Sequence, residues 1–302
     1  MKTALLIHNP SAGNAKHGKE EIIELIKKAG YSMEYISTDD GTAWTSFDPS
    51  QVDTIFLAGG DGTVHKLAMV LLERMTKTPV TIHLLPLGTA NNIAKTLRIS
   101  TVIDRHAVIR EKSIKSFDCG KIKGVPKTKF FLESMGFGIF PQLIHEMKNS
   151  AKPEDIPSAE LKQAVKVLLK IIKTFKPQKA TIKADGIKIK GSFLLVEIMN
   201  IQYLGPNIKL APQADPGDGF FDLVMIPEKG RDALEEYLKG SMEDSVEYES
   251  LEKFVKTIRV QHVKIKWGGT QMHVDDDLVD YNAGKNIKVD VLPDVLDFVQ
   301  DI

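Results

Sequence analysis

What this sequence lacks narrows it first. It has one cysteine, Cys119, so no disulfide can close within the chain and no cysteine-based metal site is supported. The expected role of Cys119 is that of a small buried hydrophobe. It has no net charge, because 40 basic residues balance 40 acidic ones. No global field therefore draws the protein to nucleic acid or to a membrane, and any such attraction has to come from a local patch. It has no long apolar run. The opening MKTALLIHNP is too short in apolar residues for a signal peptide and reads as a first strand. No segment approaches the length of a membrane span, so the expected location is the cytoplasm. Internal repeats and low-complexity segments are absent as well. What remains is a chain of 302 residues, 42% hydrophobic and 26% charged, with the composition of a soluble globular protein of one large or two ordinary domains.

The first third alternates strand and helix signals. TALLIHN, SMEYIST, TIFLAGG and VTIHLLPLG read as strands. Helical spacing appears over Gly18–Ala29, from Val64 to about Arg74, and from about Asn91 to Leu97. Strands separated by helices predict a parallel sheet with helices on both faces, a three-layer α/β domain. The remainder alternates apolar and polar residues, above all on both sides of Asp185-Gly186, a strong hairpin signal. The second part is therefore expected to be an antiparallel, β-sandwich-like domain. The expected division is residues 1–119 and 120–291. The last stretch, 292–302, has two open placements: the end of the β domain, or a return to the first.

One helix interrupts the β half. From about Ser158 to Phe175, Leu161, Val165, Leu168, Ile172 and Phe175 recur at spacings of three and four. Lys162, Lys166, Lys170, Lys173 and Lys176 do the same on the opposite face. Such a face is either simply solvated or drawn to anionic lipid headgroups, which would add peripheral contact at the inner membrane face.

Three polar turns fall where the predicted parallel strands end: HNPSAGN, GGDGT and PLGTANN. Ligands of parallel sheets collect beyond such carboxyl ends. A strand ending in Gly59-Gly60 and feeding a helix offers backbone N–H groups and a positive helix terminus, which suits phosphate. Thr63 can cap that helix or donate to a phosphate oxygen. Asp61 is the anomaly, since a carboxylate repels phosphate unless a cation or a network of donors intervenes. Mg²⁺ is the simplest remedy; a plain turn or cap role for Asp61 is the alternative. None of the turns fits GxxxxGK[ST] or GxGxxG, which excludes a P-loop and leaves a dinucleotide Rossmann site without its fingerprint.

Taken in order, NPSAG at Asn9–Gly13, GGDGT at Gly59–Thr63, PLGTANN at Pro86–Asn92, the Asn200–Ile226 segment ending in Asp218-Gly219 and a strand, and HVDDDLV at His273–Val279 resemble the diacylglycerol kinase catalytic-domain family. That family includes bacterial lipid kinases, sphingosine kinases and ceramide kinases. GGDGT alone is shared with NAD kinases; the ordered set is far more specific. The resemblance implies an α/β domain for ATP, a β domain for a lipid alcohol, and a cleft between them for an ATP- and Mg²⁺-dependent phosphoryl transfer. It places nucleotide contacts on Asn9, Pro10, Ser11, Ala12 and Gly13, on Thr38, on Gly59, Gly60, Asp61, Gly62, Thr63 and His65, and on Gly88, Thr89 and Asn91. It places a structural Mg²⁺ at Asp215, Asp218 and the backbone of Phe220.

Transfer to an alcohol needs somewhere for the proton to go. Asp275 and Asp277 stand where the family has Asp and Glu. In a continuous strand both would share one face, with Asp276 on the other, and neighbouring acids can raise one pKa. Asp277 is the expected proton acceptor, with Asp275 as its partner and Asp61 linked to the nucleotide's metal; an acidic hairpin loop in water is the alternative for the late aspartates. The chain also departs from the family. Asn92 replaces an Asp, His65-Lys66 replace Asn-Glu, Asp276 replaces Gly, and Asp277 is one methylene shorter than Glu. These departures keep two further readings open: a nucleotide- or lipid-binding protein without turnover, and an NAD kinase-like enzyme.

Overall fold

The structure, a computed structural model, describes residues 2–12, 18–41, 43–74, 80–102, 112–126, 128–150, 157–241 and 254–301. The chain separates into two compact units, Met1–Phe117 with Asp294–Ile302, and Asp118–Pro293.

In the first unit the order is β1 (Lys2–His8), α1 (Lys19–Lys28), β2 (Tyr31–Ser37), α2 (Ala43–Ser46), β3 (Thr54–Gly59), α3 (Asp61–Arg74), β4 (Thr81–Pro86) and α4 (Asn92–Thr96). β1 lies between β2 and β3, and β4 lies on the far side of β3; every pairing is parallel. β1 from Ala4 and β3 throughout are buried on both faces, as near-continuous apolar strands of a parallel sheet must be. α1 has no side-chain cap, but Glu20 and Glu21 in its first turn and Lys27 and Lys28 in its last match its dipole. Its Ile22 and Ile26 pack on Ala4, Leu6, Phe56, Ala58 and Leu85. α3 buries Val64, Leu67, Ala68 and Leu71, one stripe at helical spacing. Of the two placements open to the C-terminal stretch, Asp297 and Phe298 extend this sheet, parallel to β4.

The second unit holds the antiparallel strands. They are β5 (Lys112–Lys123, shared with the first unit), β6 (Phe130–Phe131), β7 (Ser134–Gly138), β8 (Gln178–Ala184), β9 (Ile187–Met199), β10 (Tyr203–Leu204), β11 (Ile208–Lys209), β12 (Phe221–Pro227), β13 (Lys256–Val260), β14 (His262–Trp267), β15 (Gln271–Val274), β16 (Asp277–Asp280) and β17 (Asn286–Asp301, whose end from Asp294 belongs to the first unit). Asp185 and Gly186, both at positive φ, join β8 to β9 as the hairpin signal requires. β9 pairs with β8 along its first half, then with β7 and β12 along its second, so one strand serves two layers. Strand alternation then builds two cores. Phe137, Ile182, Val196, Ile198, Leu223, Met225, Ile265 and Trp267 meet inside the sandwich. Val224 and Ile226, with Leu195 and Met199, face three helices: α5 (Ile139–Asn149), α6 (Pro157–Thr174) and α7 (Arg231–Ser241).

α6 is the lysine-bearing helix. Val165, Leu168 and Ile172 are buried in the helical core, while Lys162, Lys166, Lys170, Lys173 and Lys176 are exposed. Arg231 donates to the carbonyls of Ile172 and Phe175, which would otherwise be unpaired at the end of this segment. Lys173 reaches Glu235 of α7 at 3.5 Å. No helix among the described residues is long and apolar enough to cross a membrane. Cys119, on β5, is fully buried, its Sγ donating to the Phe131 carbonyl at 3.2 Å, and burial pushes its thiol pKa up.

Candidate functional site

In the first unit the three polar turns meet at the carboxyl ends of β1, β3 and β4. A Cβ on Gly60 would lie 2.8 Å from the Gly88 Cα, and one on Gly88 would lie 2.6 Å from the Gly60 Cα. Two backbones this close admit only glycine, which is why each turn carries one at its point of contact. Asn9 Nδ2 donates to Thr63 Oγ1 at 3.0 Å, and its own Oδ1 accepts the Ser11 N–H at 3.1 Å. The Ala12 N–H goes to the Asn9 carbonyl, and the Thr38 N–H ties the end of β2 to the His8 carbonyl. Asn91, at φ 51°, closes the third turn on itself: its amide accepts from the Gly88 N–H at 2.9 Å and donates to the Gly88 carbonyl at 2.8 Å. Pro10, Thr89 and His65 are half-buried beside these groups, and Gly62 is exposed in the first turn of α3. Gly13 lies outside the described residues.

Asp61 sits at the first position of α3, and its two carboxylate oxygens accept the N–H groups of Asn92 at 2.9 Å and Ile93 at 3.0 Å. Of the two remedies for a carboxylate beside a phosphate turn, the structure supplies the donor network. The groups are the otherwise unpaired N–H donors opening α4, and they clamp the second turn to the third.

In the second unit the Asp215–Phe220 loop is equally tight. Asp215 Oδ1 accepts the Gly217 N–H at 3.0 Å and Asp218 Oδ1 accepts the Phe220 N–H at 2.9 Å. Asp218 Oδ2 carries the Arg259 guanidinium at 2.6 Å, and buried Asp118 accepts the Gly219 N–H at 2.8 Å. The donor chemistry expected for Mg²⁺ is present, two carboxylates and backbone carbonyls. The cation it holds is Arg259, so the loop as folded does not fit a divalent ion at Asp218. Among the described residues no group of three or more His, Cys, Asp or Glu side chains is arranged to hold a metal.

The late acidic segment corrects an expectation. HVDDDLV is not one continuous strand: β15 ends at Val274, β16 starts at Asp277, and Asp275-Asp276 form the turn between them. Asp275 and Asp277 therefore do not share a face. Asp275 is buried at positive φ, and its carboxylate accepts the N–H groups of Leu132, Glu133 and Ser134 at 2.7–3.2 Å. Asp277 is open to solvent, its side chain 79% exposed and 3.9 Å from Lys148 Nζ. The left-handed residue of this turn is Asp275, so replacement of glycine by Asp276 carries no positive-φ strain.

Residues 3–122 match the diacylglycerol kinase catalytic domain, and residues 148–300 match the YegS C-terminal NAD kinase beta sandwich-like domain. The chain belongs to the diacylglycerol kinase family. The diacylglycerol kinase of Bacillus subtilis (strain 168) is 25% identical over 236 residues, 75% of this chain and 74% of that one. That of Staphylococcus aureus (strain MRSA252) is 26% identical over 232 residues, 74% of this chain and 70% of that one. A crystal structure of a diacylglycerol kinase from Bacillus anthracis str. Sterne shares the fold, with a TM-score of 0.72 at 20% identity over 99% of this chain and 97% of that one.

For this member of the diacylglycerol kinase family, motif reading missed one pair. Glu197 and His273 are fully buried and joined, His273 Nε2 lying 2.9–3.0 Å from both Glu197 oxygens. Burial pushes the Glu197 carboxyl up, and the Glu197 carboxylate draws the His273 imidazole up against its own burial. The other ring nitrogen, Nδ1, lies 2.8 Å from the Asp275 carbonyl, so the pair sets the backbone from which Asp277 departs. A Cβ on Gly136 would fall 2.0 Å from Glu197 Oε2; the carboxylate fills the space that glycine leaves. The available signal was a lone charge inside the apolar run FLLVEIMN.

Proposed function

We propose that the protein is a lipid kinase that uses ATP with Mg²⁺ and transfers the γ-phosphoryl group to the hydroxyl of a diacylglycerol-like lipid. The observation that carries this reading, beside membership of the family, is the contact between the Gly60 and Gly88 turns at the carboxyl ends of parallel strands. The first unit is the nucleotide domain. Its phosphate cradle is the backbone of Asn9–Ala12 and Gly59–Thr63, with the amino terminus of α3 directed at the anion. These groups fit phosphate: short turns without bulky side chains, and a helix terminus of matching sign. Mg²⁺ bound with the nucleotide supplies neutralisation of the triphosphate. Asp61 orders the cradle through Asn92 and Ile93.

The second unit is the acceptor domain. Asp277 takes the proton of the lipid hydroxyl; its exposure leaves the carboxylate open to substrate. Asp275 and the Glu197–His273 pair hold the hairpin that presents it. The exposed lysines of α6 give this unit a cationic face suited to peripheral contact with anionic lipid.

A second reading is favoured by a specific observation: Asp61 and Asp275, two of the carboxylates expected to be catalytic, are fully engaged with backbone donors. On that reading the protein binds nucleotide or lipid without turnover. Incubation with γ-labelled ATP, extracted lipids and Mg²⁺ or Mn²⁺ separates the two. The kinase labels a lipid, and Asp277→Asn lowers the rate by about 10²–10⁴-fold. Calorimetric ATP binding with no labelled lipid under any divalent condition establishes the second reading instead.

A further inference from the structure

The outer layer of the sandwich carries lysines in register. β8, β9, β14 and β17 turn Ile182, Ile189, Ile265 and Ile287 to the sandwich core, so residues of the opposite parity face solvent. Across these four strands Lys188 pairs with Lys183, Lys183 with Lys264, and Lys264 with Lys288. The row runs perpendicular to the strands and is about 14 Å long, at about 4.8 Å per strand. Two residues further along, Lys190 pairs with Thr181, Thr181 with Lys266, and Lys266 with Asn286. This second row adds two lysines about 7 Å from the first. Lys179, opposite Ser192, begins a third.

Of these lysines Lys264 is half-buried and the rest are exposed. Among the described residues no carboxylate pairs with any of them; the lysine ion pairs of this unit engage Lys123, Lys148, Lys173 and Lys239 instead. The acids that adjoin the first row are already committed. Asp290 on β17 takes Lys123 at 3.2 Å and His262 at 3.0 Å, and Asp185 in the β8–β9 turn accepts the Gln261 and His262 N–H groups at 2.8 Å. Like charges directly across a ladder repel and weaken it. A chain without net charge thus concentrates unmatched cations on one sheet face, at a cost in stability.

We propose that this face docks on an anionic lipid bilayer. The charges form a two-dimensional array, as the headgroups of a bilayer do, and supply the local patch that a neutral chain needs for such attraction. The outward positions of these strands hold no Arg, Phe, Tyr or Trp, so the phosphate forks and base-stacking platforms of nucleic-acid binders are absent. Ile187, 53% exposed beside Lys188, adds an apolar group of the kind that enters the headgroup boundary. The lysines of α6 are a competing face. That helix covers the other layer of the sandwich, against Leu195, Met199, Val224 and Ile226, and its Lys173 is paired with Glu235. A flat bilayer cannot meet both faces, and the sheet presents the denser unpaired charge. The proposal is independent of the kinase reading, since it is carried by ladder register and needs no turnover.

Vesicle sedimentation of the full chain without nucleotide tests it, with phosphatidylcholine vesicles that contain or lack phosphatidylglycerol. The protein sediments only with the anionic vesicles and is released at high salt. Lys183→Gln with Lys264→Gln lowers the partition coefficient about 25-fold, at about fivefold per lysine. Its urea midpoint equals or exceeds that of the parent, because repulsion within the row is relieved. Lys166→Gln with Lys170→Gln on α6 leaves the partition coefficient within about twofold, since those charges lie beyond a Debye length of the docked surface. No binding to anionic vesicles, a loss as large in the α6 pair as in the sheet pair, or displacement of the protein from vesicles by single-stranded RNA overturns the proposal. Failure of the kinase reading, seen as absence of labelled lipid, leaves each of these outcomes unchanged.

Discussion

The Gly59–Thr63 turn of the first unit and the Val274–Asp277 hairpin of the second put an aspartate to the same use by different routes. Each carboxylate, Asp61 and Asp275, gathers backbone N–H groups. Asp61 draws them from a turn 31 and 32 residues away, Asp275 from a segment 141–143 residues away. The first arrangement is made of neighbouring strand-end turns and short, glycine-marked stretches. The second is completed by a fully buried Glu–His pair whose members are 76 residues apart. A conspicuous aspartate in a motif is therefore first of all a fastener of loops. Under the proposed kinase reading, chemistry is left to groups the fasteners present, Asp277 in one unit and the turn backbone in the other.

The largest test of this contrast is His273→Ala. It strands Glu197 in the core and is expected to cost about 3–5 kcal/mol in urea unfolding, the range for a broken buried pair. Glu197→Gln, which leaves a neutral hydrogen-bonding partner, costs less. Next come the two fasteners. Asp61→Ala and Asp275→Ala each leave backbone donors without an acceptor, about 1–3 kcal/mol, with Asp275→Ala the costlier because it strands three donors rather than two and the carboxylate it removes is itself buried. Equal losses at the two sites would break the distinction between a local and a long-range fastener.

Asp222 sharpens the comparison as a buried carboxylate whose Oδ2 has no such donor. Its folded pKa of about 6 lies above the 3.8 usual for an aspartate, so between those values the native state holds a proton that the unfolded chain has released. Stability therefore falls as pH rises from about 4 through about 6 and levels off above. Asp222→Asn is expected to be about 1–3 kcal/mol more stable than the parent at pH 8 and no more stable at pH 4. The smallest effect belongs to Asp277→Asn, within about 0.5 kcal/mol as for other exposed substitutions. A large loss of stability there would mean that Asp277 too is a fastener.

The parts of this fold that were legible in the sequence are those fixed over short spans. The strands of the first unit, its helices α1, α3 and α4, the Asp185-Gly186 hairpin and the lysine face of α6 all follow from periodicity and turn chemistry. The contact of the Gly60 and Gly88 turns follows from parallel topology, which gathers strand ends on one edge. What was not legible depends on a single local geometry or a distant partner. A two-residue turn at Asp275-Asp276 resets the alternation of side chains, so two aspartates that a continuous strand would align end on different sides of the burial boundary. Glu197 is a charge in an apolar run, and nothing nearby announces that His273 completes it. Likewise Asp218 shows its carboxylate in the sequence, but only the pairing of β12 with β13 brings Arg259 to it.

The solitary thiol of Cys119 turns the second unit into its own stopwatch. It is sealed in the strand it occupies, its Sγ bonded to the Phe131 carbonyl and its ionisation suppressed by burial. With one sulfhydryl in the chain, every equivalent of a colorimetric disulfide reagent consumed counts one excursion in which that strand comes open. The rate of labelling thus times the breathing of the β unit without any engineered probe.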